Sequence, residues 1–145
     1  MQNNFKRKIG IVSGYFNPLH RGHLEYINKA RSEVDKLIAI VNNDLQVKLK
    51  QSKFFLDQDH RKLIIENLKA VNYALISIDI GPTVSRTIEY ISKNINGDLI
   101  YFNSGDSKTP NPVELHTCEK YSINYKFIPL PKLTSSSKIL KKLYL

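Results

Sequence analysis

The sequence predicts an α/β fold, a three-layer αβα sandwich built on a five-stranded parallel sheet. Three observations carry that expectation. Short β-rich runs alternate with amphipathic segments from one end of the chain to the other, the order of β-α-β units with right-handed crossovers. The runs are apolar at consecutive positions rather than alternate ones, as strands covered on both faces are. The length, 145 residues with 41% apolar and 24% charged, suits one ordinary globular domain spanning residues 1-145, with no internal repeat, low-complexity tract or linker to divide it.

The elements follow in order. KIGIVSG, Lys8 to Gly14, reads as the first strand, KLIAIVN, Lys36 to Asn42, as the second, and YALISI, Tyr73 to Ile78, as the third. LIYF, Leu99 to Phe102, and NYKFI, Asn124 to Ile128, complete five. Between them, Gly22 to Arg31 carries Leu24, Ile27 and Ala30 near helical spacing. Asp59 to Val71 carries Leu63, Ile64, Leu68 and Val71 as one apolar stripe behind the cap candidates Asp57 and Asp59. Thr83 to Ser92 has Val84, Ile88 and Ile91, and Pro112 to Tyr121 opens with proline at a first helical position. A last short helix, Ser136 to Leu143, follows a serine cluster able to cap it.

Charge and cysteine usage narrow the class. The 22 Lys+Arg against 13 Asp+Glu leave +9, which favours anionic partners: nucleotides, phosphorylated metabolites or nucleic acid. No basic run exceeds three residues, so most of these charges read as a solvated surface. The apolar runs, such as Leu37 to Val41, are far shorter than a membrane span, and MQNNFKRKIG lacks the apolar segment of a signal peptide. A cytoplasmic protein is expected. The single Cys118 can make no internal disulfide and reads as a buried thiol.

In an open parallel sheet, ligands bind beyond the carboxyl ends of the strands where the strand order reverses, and the chemistry concentrates there. GYFNPLHRGH, Gly14 to His23, follows the first strand. Gly14 permits a sharp turn, Pro18 fixes φ before the helix, and Gly22 lets an anion or a backbone approach closely. His20 and His23, three apart, share a face of the helix they open, and a helix N-terminus attracts phosphate through its free N–H groups and dipole. The same residues could be ordinary helix-start histidines. Zinc is disfavoured, because His60, His116 and Cys118 sit in separate segments with no ligand-like spacing.

GYFNPLHRGH resembles the phosphate-binding motif of the cytidylyltransferase-like nucleotidyltransferase superfamily, G-x-F-D-x-x-H-x-G-H between a first strand and a helix. Gly14, Phe16, His20, Gly22 and His23 carry the match. Further landmarks recur in order: Val41-Asn42-Asn43-Asp44 with Lys48 and Lys50, where relatives supply a catalytic lysine; His60 to Ile64, where they supply a triphosphate-binding arginine; and Ala70-Val71-Asn72, its continuation into the third strand. Asn103-Ser104-Gly105-Asp106 is similar to a glycine-aspartate loop near the nucleotide, and Thr134 to Ile139 to the serine/threonine motif that opens the last helix.

The resemblance implies a Rossmann-like fold and an enzyme that joins a nucleoside triphosphate to a phosphorylated small molecule with release of pyrophosphate. It implies His20 and His23 on the α and β phosphates, the backbone around Gly14, Tyr15 and Phe16, together with Gly22, cradling them, and Asn103, Gly105 and Asp106 near the nucleotide. Lys48, with Lys50 as its substitute, is implied at the α-phosphate and the acceptor phosphate. Arg61 with Ser136 or Ser137 is implied at the leaving β and γ phosphates, Ser135 among the nucleotide-binding residues, a magnesium ion with the triphosphate, and a homodimer.

Two positions depart from the pattern. Asn17 stands where many relatives have Asp and is assigned to substrate handling, and Leu140 stands where some have arginine, with Lys138 or Lys141 to compensate. HRKLIIENLKAV resembles glycerol-3-phosphate cytidylyltransferases, whereas VNND with Lys48 and the tail SSSKILKKL sit as comfortably with heptose 1-phosphate adenylyltransferases; the balance leans to CTP. A phosphorylated polyol or sugar is the implied acceptor, in a pocket shaped by Ser77 to Arg86 and Lys108 to Pro112. Another class stays open: a basic nucleic-acid- or nucleotide-binding module without catalysis. Against it, the eight tyrosines and six phenylalanines are dispersed and form no stacking platform.

Overall fold

A computed structural model describes residues 6–53, 55–104 and 110–129. Among the described residues, five strands and five helices follow in the order β1 (Lys8–Gly14), α1 (Arg21–Arg31), β2 (Lys36–Val41), α2 (Asp44–Leu49), α3 (Gln58–Glu66), β3 (Tyr73–Ile76), α4 (Ser85–Asn94), β4 (Asp98–Ser104), α5 (Pro112–Lys120) and β5 (Asn124–Ile128). The sheet runs β3-β2-β1-β4-β5, and every neighbouring pair is parallel. The order therefore reverses between β1 and β4, at the centre of the sheet. The fold is the expected Rossmann-like three-layer sandwich.

Each face of the sheet has its own core. Val12, Phe16, Tyr26, Ile27, Leu37 and Phe102 belong to one, beneath α1 and α3. Ile9, Ile11, Ile40, Ile88, Ile91 and Tyr101 belong to the other, beneath α4 and α5. This is why β2 is apolar at every position after Lys36: its successive side chains enter opposite cores. Cys118 is buried in the second core. Among the described residues no helix is long and apolar enough to cross a membrane.

Several boundaries differ from expectation. The third strand stops at Ile76, because Ser77 and Ile78 turn away to bond Asp79 and Thr87. The fourth extends at both ends, and the helix after the third strand begins two residues late. A short helix, α2, was not anticipated. Six residues are too few to show periodicity, and what starts it is a reciprocal cap: Gln46 N–H donates to the Asn43 side chain while Asn43 N–H donates to Gln46 Oε1.

The phase of α3 also differs. Leu63 and Ile64, expected on the buried stripe, are 55% and 40% exposed, and the buried positions are Arg61 and Ile65. Asp57 accepts His60 N–H and fixes the start of the helix, so the i, i+4 pair 61 and 65 faces the sheet. The helix ends at Glu66, and Val71 reaches the core through a turn instead. The expected last helix, Ser136 to Leu143, lies outside the described residues, as do Gly105, Asp106, Lys108, Ser135, Ser137, Lys138, Leu140 and Lys141.

Candidate functional site

The segment Gly14–His23 leaves β1 at the C-terminal edge of the sheet, beside the reversal of strand order. Gly14 is required there: a Cβ at this position would lie 2.8 Å from the Phe16 ring. Phe16 adopts φ 49°, left-handed for a residue with a side chain, and its ring is 2% exposed. Burial of that ring offsets the backbone strain, about 1 kcal/mol or more. The ring also meets His23 edge-on, centroids 5.1 Å apart.

His20 and His23 form the cap of α1. His20 is the extended N-cap residue; Gly22 N–H donates to its Nδ1 at 3.0 Å, and His20 N–H donates to His23 Nδ1 at 3.2 Å. A nitrogen that accepts a hydrogen bond carries no proton, so each neutral ring holds its proton on Nε2. The rings stack, 3.8 Å between centroids and 23° between planes. The capping box thus fixes both tautomers and leaves two Nε2–H donors in parallel at the head of the helix. Burial, then the charges of His20 and Lys50, lower the His23 pKa to about 4, and burial lowers that of His20. Both rings are neutral donors at pH 7.

A pH dependence of stability follows. His23 takes up a proton near pH 6.5 when unfolded but only near 4 when folded. Acidification from 6.5 toward 4 therefore protonates the unfolded chain first and lowers stability across that window, above which His23 has no effect. Melting temperatures measured from pH 7.5 to 4.5 should fall in the wild type and fall less in His23→Asn; identical slopes would contradict the assignment.

The lysines and the arginine separate clearly. Lys50, at the C-cap of α2, places Nζ 4.4 Å from the Tyr15 ring centroid and is close enough to His23 to act on its titration. Lys48 is exposed on α2 and makes neither contact. Arg61, expected at the triphosphate, is 1% exposed. Its Nε donates to Leu56 O at 3.0 Å, Nη1 to Tyr15 O at 2.8 Å and Asn42 O at 2.7 Å, and Nη2 to Asp44 Oδ1 at 2.8 Å. Four of the five guanidinium N–H donors are thus spent inside the protein, fastening the phosphate loop to the ends of β2 and α2.

Asn17, expected at substrate, is also turned inward. Its Nδ2 donates to Lys53 O at 2.8 Å, and its Oδ1 accepts from Phe55 N at 3.0 Å and Leu56 N at 3.4 Å. An Asp here could accept but not donate, so the bond to Lys53 O accounts for the amide. Asn103 lies near the end of β4, two residues beyond Tyr101, which pairs with Ile11 of β1.

Four functional candidates escaped the sequence reading. Asp79, 3% exposed, accepts Arg86 N at 2.9 Å, Thr87 N at 3.0 Å and Thr87 Oγ1 at 2.6 Å. Glu114 Oε2 accepts Val84 N at 3.0 Å, and its Oε1 accepts the Tyr101 hydroxyl at 3.0 Å. Tyr101 in turn lies 2.8 Å from Ser13 Oγ. Because the Tyr101 proton goes to Glu114, Ser13 is the donor in that last bond. No local signal marks these residues, whose bonded partners lie as far apart as 88 positions. Among the described residues no group of three or more His, Cys, Asp and Glu could hold a metal ion. A groove of about 490 Å³, lined by Lys6, Arg7, Ile95, Gly97 and Tyr121 among others, lies at the N-terminal ends of β1 and β4, the opposite edge from this site.

Residues 11–141 match the family described as cytidylyltransferase-like. The chain is similar to an FAD synthase of Aciduliprofundum boonei, 26% identical over 126 residues, 87% of this chain and 80% of that one. It is also similar to the bifunctional protein HldE of Pseudomonas putida, 29% identical over 140 residues, where it spans 95% of its own length and 28% of the relative's. A crystal structure of a lipopolysaccharide core biosynthesis protein from Thermoplasma volcanium superposes with a TM-score of 0.69 at 23% identity, covering 88% of this chain and 99% of that chain; at that identity the likeness is one of fold.

Proposed function

This chain belongs to the cytidylyltransferase-like family and is a nucleotidyltransferase, and we propose that it moves a nucleoside monophosphate from a triphosphate to a phosphorylated small molecule. The observation that carries this reading is the pair of parallel Nε2–H donors held by the capping box at the head of α1. An oxygen of the acceptor phosphate attacks the α-phosphorus, a new P–O bond forms, and the bond to the bridging oxygen breaks, its electron pair leaving with pyrophosphate. The nucleophile is already an anion, so alignment and charge neutralisation are what the protein supplies. His20 and His23 take the α and β oxygens through their Nε2–H groups, at the positive end of α1. Lys50 steadies the incoming phosphate, and Arg61 acts on the same loop from beneath.

A magnesium ion belongs with the triphosphate as its counterion. The described residues offer it no carboxylate cage: Asn17 is uncharged, and Asp44 is paired with Arg61. Its ligands would be phosphate oxygens, and no step here depends on it.

We take ATP as the first donor to test. The relative named FAD synthase makes a product containing an adenylyl group, which weighs against the CTP lean of HRKLIIENLKAV. A phosphorylated polyol or sugar is the acceptor class, with flavin mononucleotide as the comparison that relative suggests. Pyrophosphate release measured with ATP or CTP, magnesium and these acceptors should identify one productive pair. Silence with every pair, alongside tight, salt-sensitive binding to oligonucleotides, would replace the enzyme by the nucleic-acid-binding module.

The lysines make a second test. Lys50→Met should lower kcat/KM by about 10- to 100-fold, on the scale of one lost charge contact to a transferring phosphate. Lys48→Met should stay within about twofold, as a solvated lysine does. The reverse ranking would return the role to Lys48.

A further inference from the structure

Helices α1, α4 and α5 each begin at the C-terminal edge of the sheet, as α2 does, and their N-termini are not electrostatically alike. That of α1 is capped by two neutral imidazoles whose Nδ1 atoms accept the cap bonds and whose Nε2–H donors are left over. The opening of α4 is closed by carboxylates: Val84 N–H is taken by Glu114 Oε2, Arg86 N–H by Asp79 Oδ2 and Thr87 N–H by Asp79 Oδ1, while Thr83 Oγ1 takes Ser85 N–H. Asn111 takes the first N–H groups of α5. The start of α1 therefore carries neutral donors, whereas that of α4 is closed by two carboxylates.

The two carboxylates differ in what remains to them. Asp79 is buried, and both its oxygens are engaged with α4 and its own loop. Glu114 is only half-buried, and each of its oxygens accepts one protein bond, so each keeps a lone pair free. Its carboxylate is also tied to the phosphate loop, through the Tyr101 hydroxyl to Ser13, the residue before Gly14. Burial and then Glu114 hold the Tyr101 pKa well above its ordinary value, so this link keeps its proton. Burial also raises the Tyr15 pKa, with Arg61 opposing and Glu114 adding to the rise.

Resting on the nucleotidyltransferase reading, we infer that Glu114 is a specificity determinant that turns away a second anionic group, so that the acceptor carries one phosphate and an uncharged, hydroxyl-bearing remainder. A lone phosphate is drawn to α1 and Lys50. A second phosphate or a carboxylate on the same molecule meets Glu114 at a helix start whose own positive pole is already neutralised. Hydroxyl donors meet free lone pairs instead.

The test uses acceptor pairs on one skeleton: glucose 1-phosphate with glucose 1,6-bisphosphate, and glycerol 3-phosphate with 3-phosphoglycerate. Each is scored by kcat/KM where it reacts, and otherwise by inhibition of whichever pair releases pyrophosphate. The wild type should prefer the singly anionic member by about tenfold at low salt, and Glu114→Gln should shrink that ratio to about two- or threefold. Raising ionic strength on the wild type should shrink it too, because partly exposed charges are screened; this arm needs no variant and decides the matter if Glu114→Gln fails to fold. Equal use of both members, a preference for the doubly anionic one, or a ratio unmoved by salt or by Glu114→Gln overturns the inference. Absence of any pyrophosphate release overturns the nucleotidyltransferase reading itself, a different result.

Discussion

His23→Ala should lower kcat by two to three orders of magnitude, the loss on removing one preorganised donor from a transferring group, while the protein still folds. Two functions meet in this ring. Nδ1 accepts His20 N–H at 3.2 Å and closes the cap, and Nε2–H, left over by that bond, is the donor proposed for phosphate. Loss of the cap alone costs about 1 kcal/mol, which for a domain of this size is about 2–4 °C in melting temperature. The two functions separate in His23→Asn, whose short amide can restore a cap acceptor but cannot place a donor at the Nε2 position. Turnover should stay low in that variant while the melting temperature recovers. Recovered turnover would mean that the imidazole serves only the helix.

Arg61→Met should be among the most destabilising substitutions in the chain. It removes all four of the hydrogen bonds made by a fully buried guanidinium. Tyr15 O, Asn42 O and Leu56 O lose their Arg61 donor, and Asp44 loses its cation. Breaking a buried pair of this kind costs about 3–5 kcal/mol, on the order of 10 °C in melting temperature for this length. Arg61→Lys keeps the charge but cannot span four acceptors from one ammonium, so it should recover only part of the loss. Urea titration checks the magnitude. A residue that positions the loop lowers kcat and stability together. A direct triphosphate ligand would instead raise KM for the triphosphate with stability intact, and that outcome would return Arg61 to the substrate.

Much of this was legible in the sequence, and what was legible is local. Consecutive apolar residues in KLIAIV mark a strand buried on both faces, because side chains two apart share a face and both faces are covered. The strand-turn-helix character of GYFNPLHRGH is written into Gly14 and Pro18, and the three-residue interval between His20 and His23 fixes that they share a face. Where the reading slipped, the deciding contact was distant. Leu63 and Ile64 look like core residues by composition, yet Arg61 takes the inward position because Tyr15 and Asn42, 46 and 19 residues away, present carbonyls that need its donors.

The amide of Asn17 looked like a departure at the substrate. It answers Lys53 and Phe55, which reach it only when the chain folds back across 36 and 38 residues. By sequence Lys48 stood first and Lys50 as its substitute; in the structure Lys50, at the C-cap of α2, lies over the Tyr15 ring.

The sequence by itself therefore determined the order of the five strands and of the longer helices between them, the sharp turn after β1, and the family. Periodicity and turn chemistry are enforced within a few residues, and they hold whatever packs against them. Tertiary structure alone decided that Lys50 lies over the Tyr15 ring, that Arg61 is locked inside, and that two carboxylates close the start of α4. Burial, tautomer and charge partner are properties of groups brought together from separate segments, and no short stretch of sequence contains both halves of such a contact.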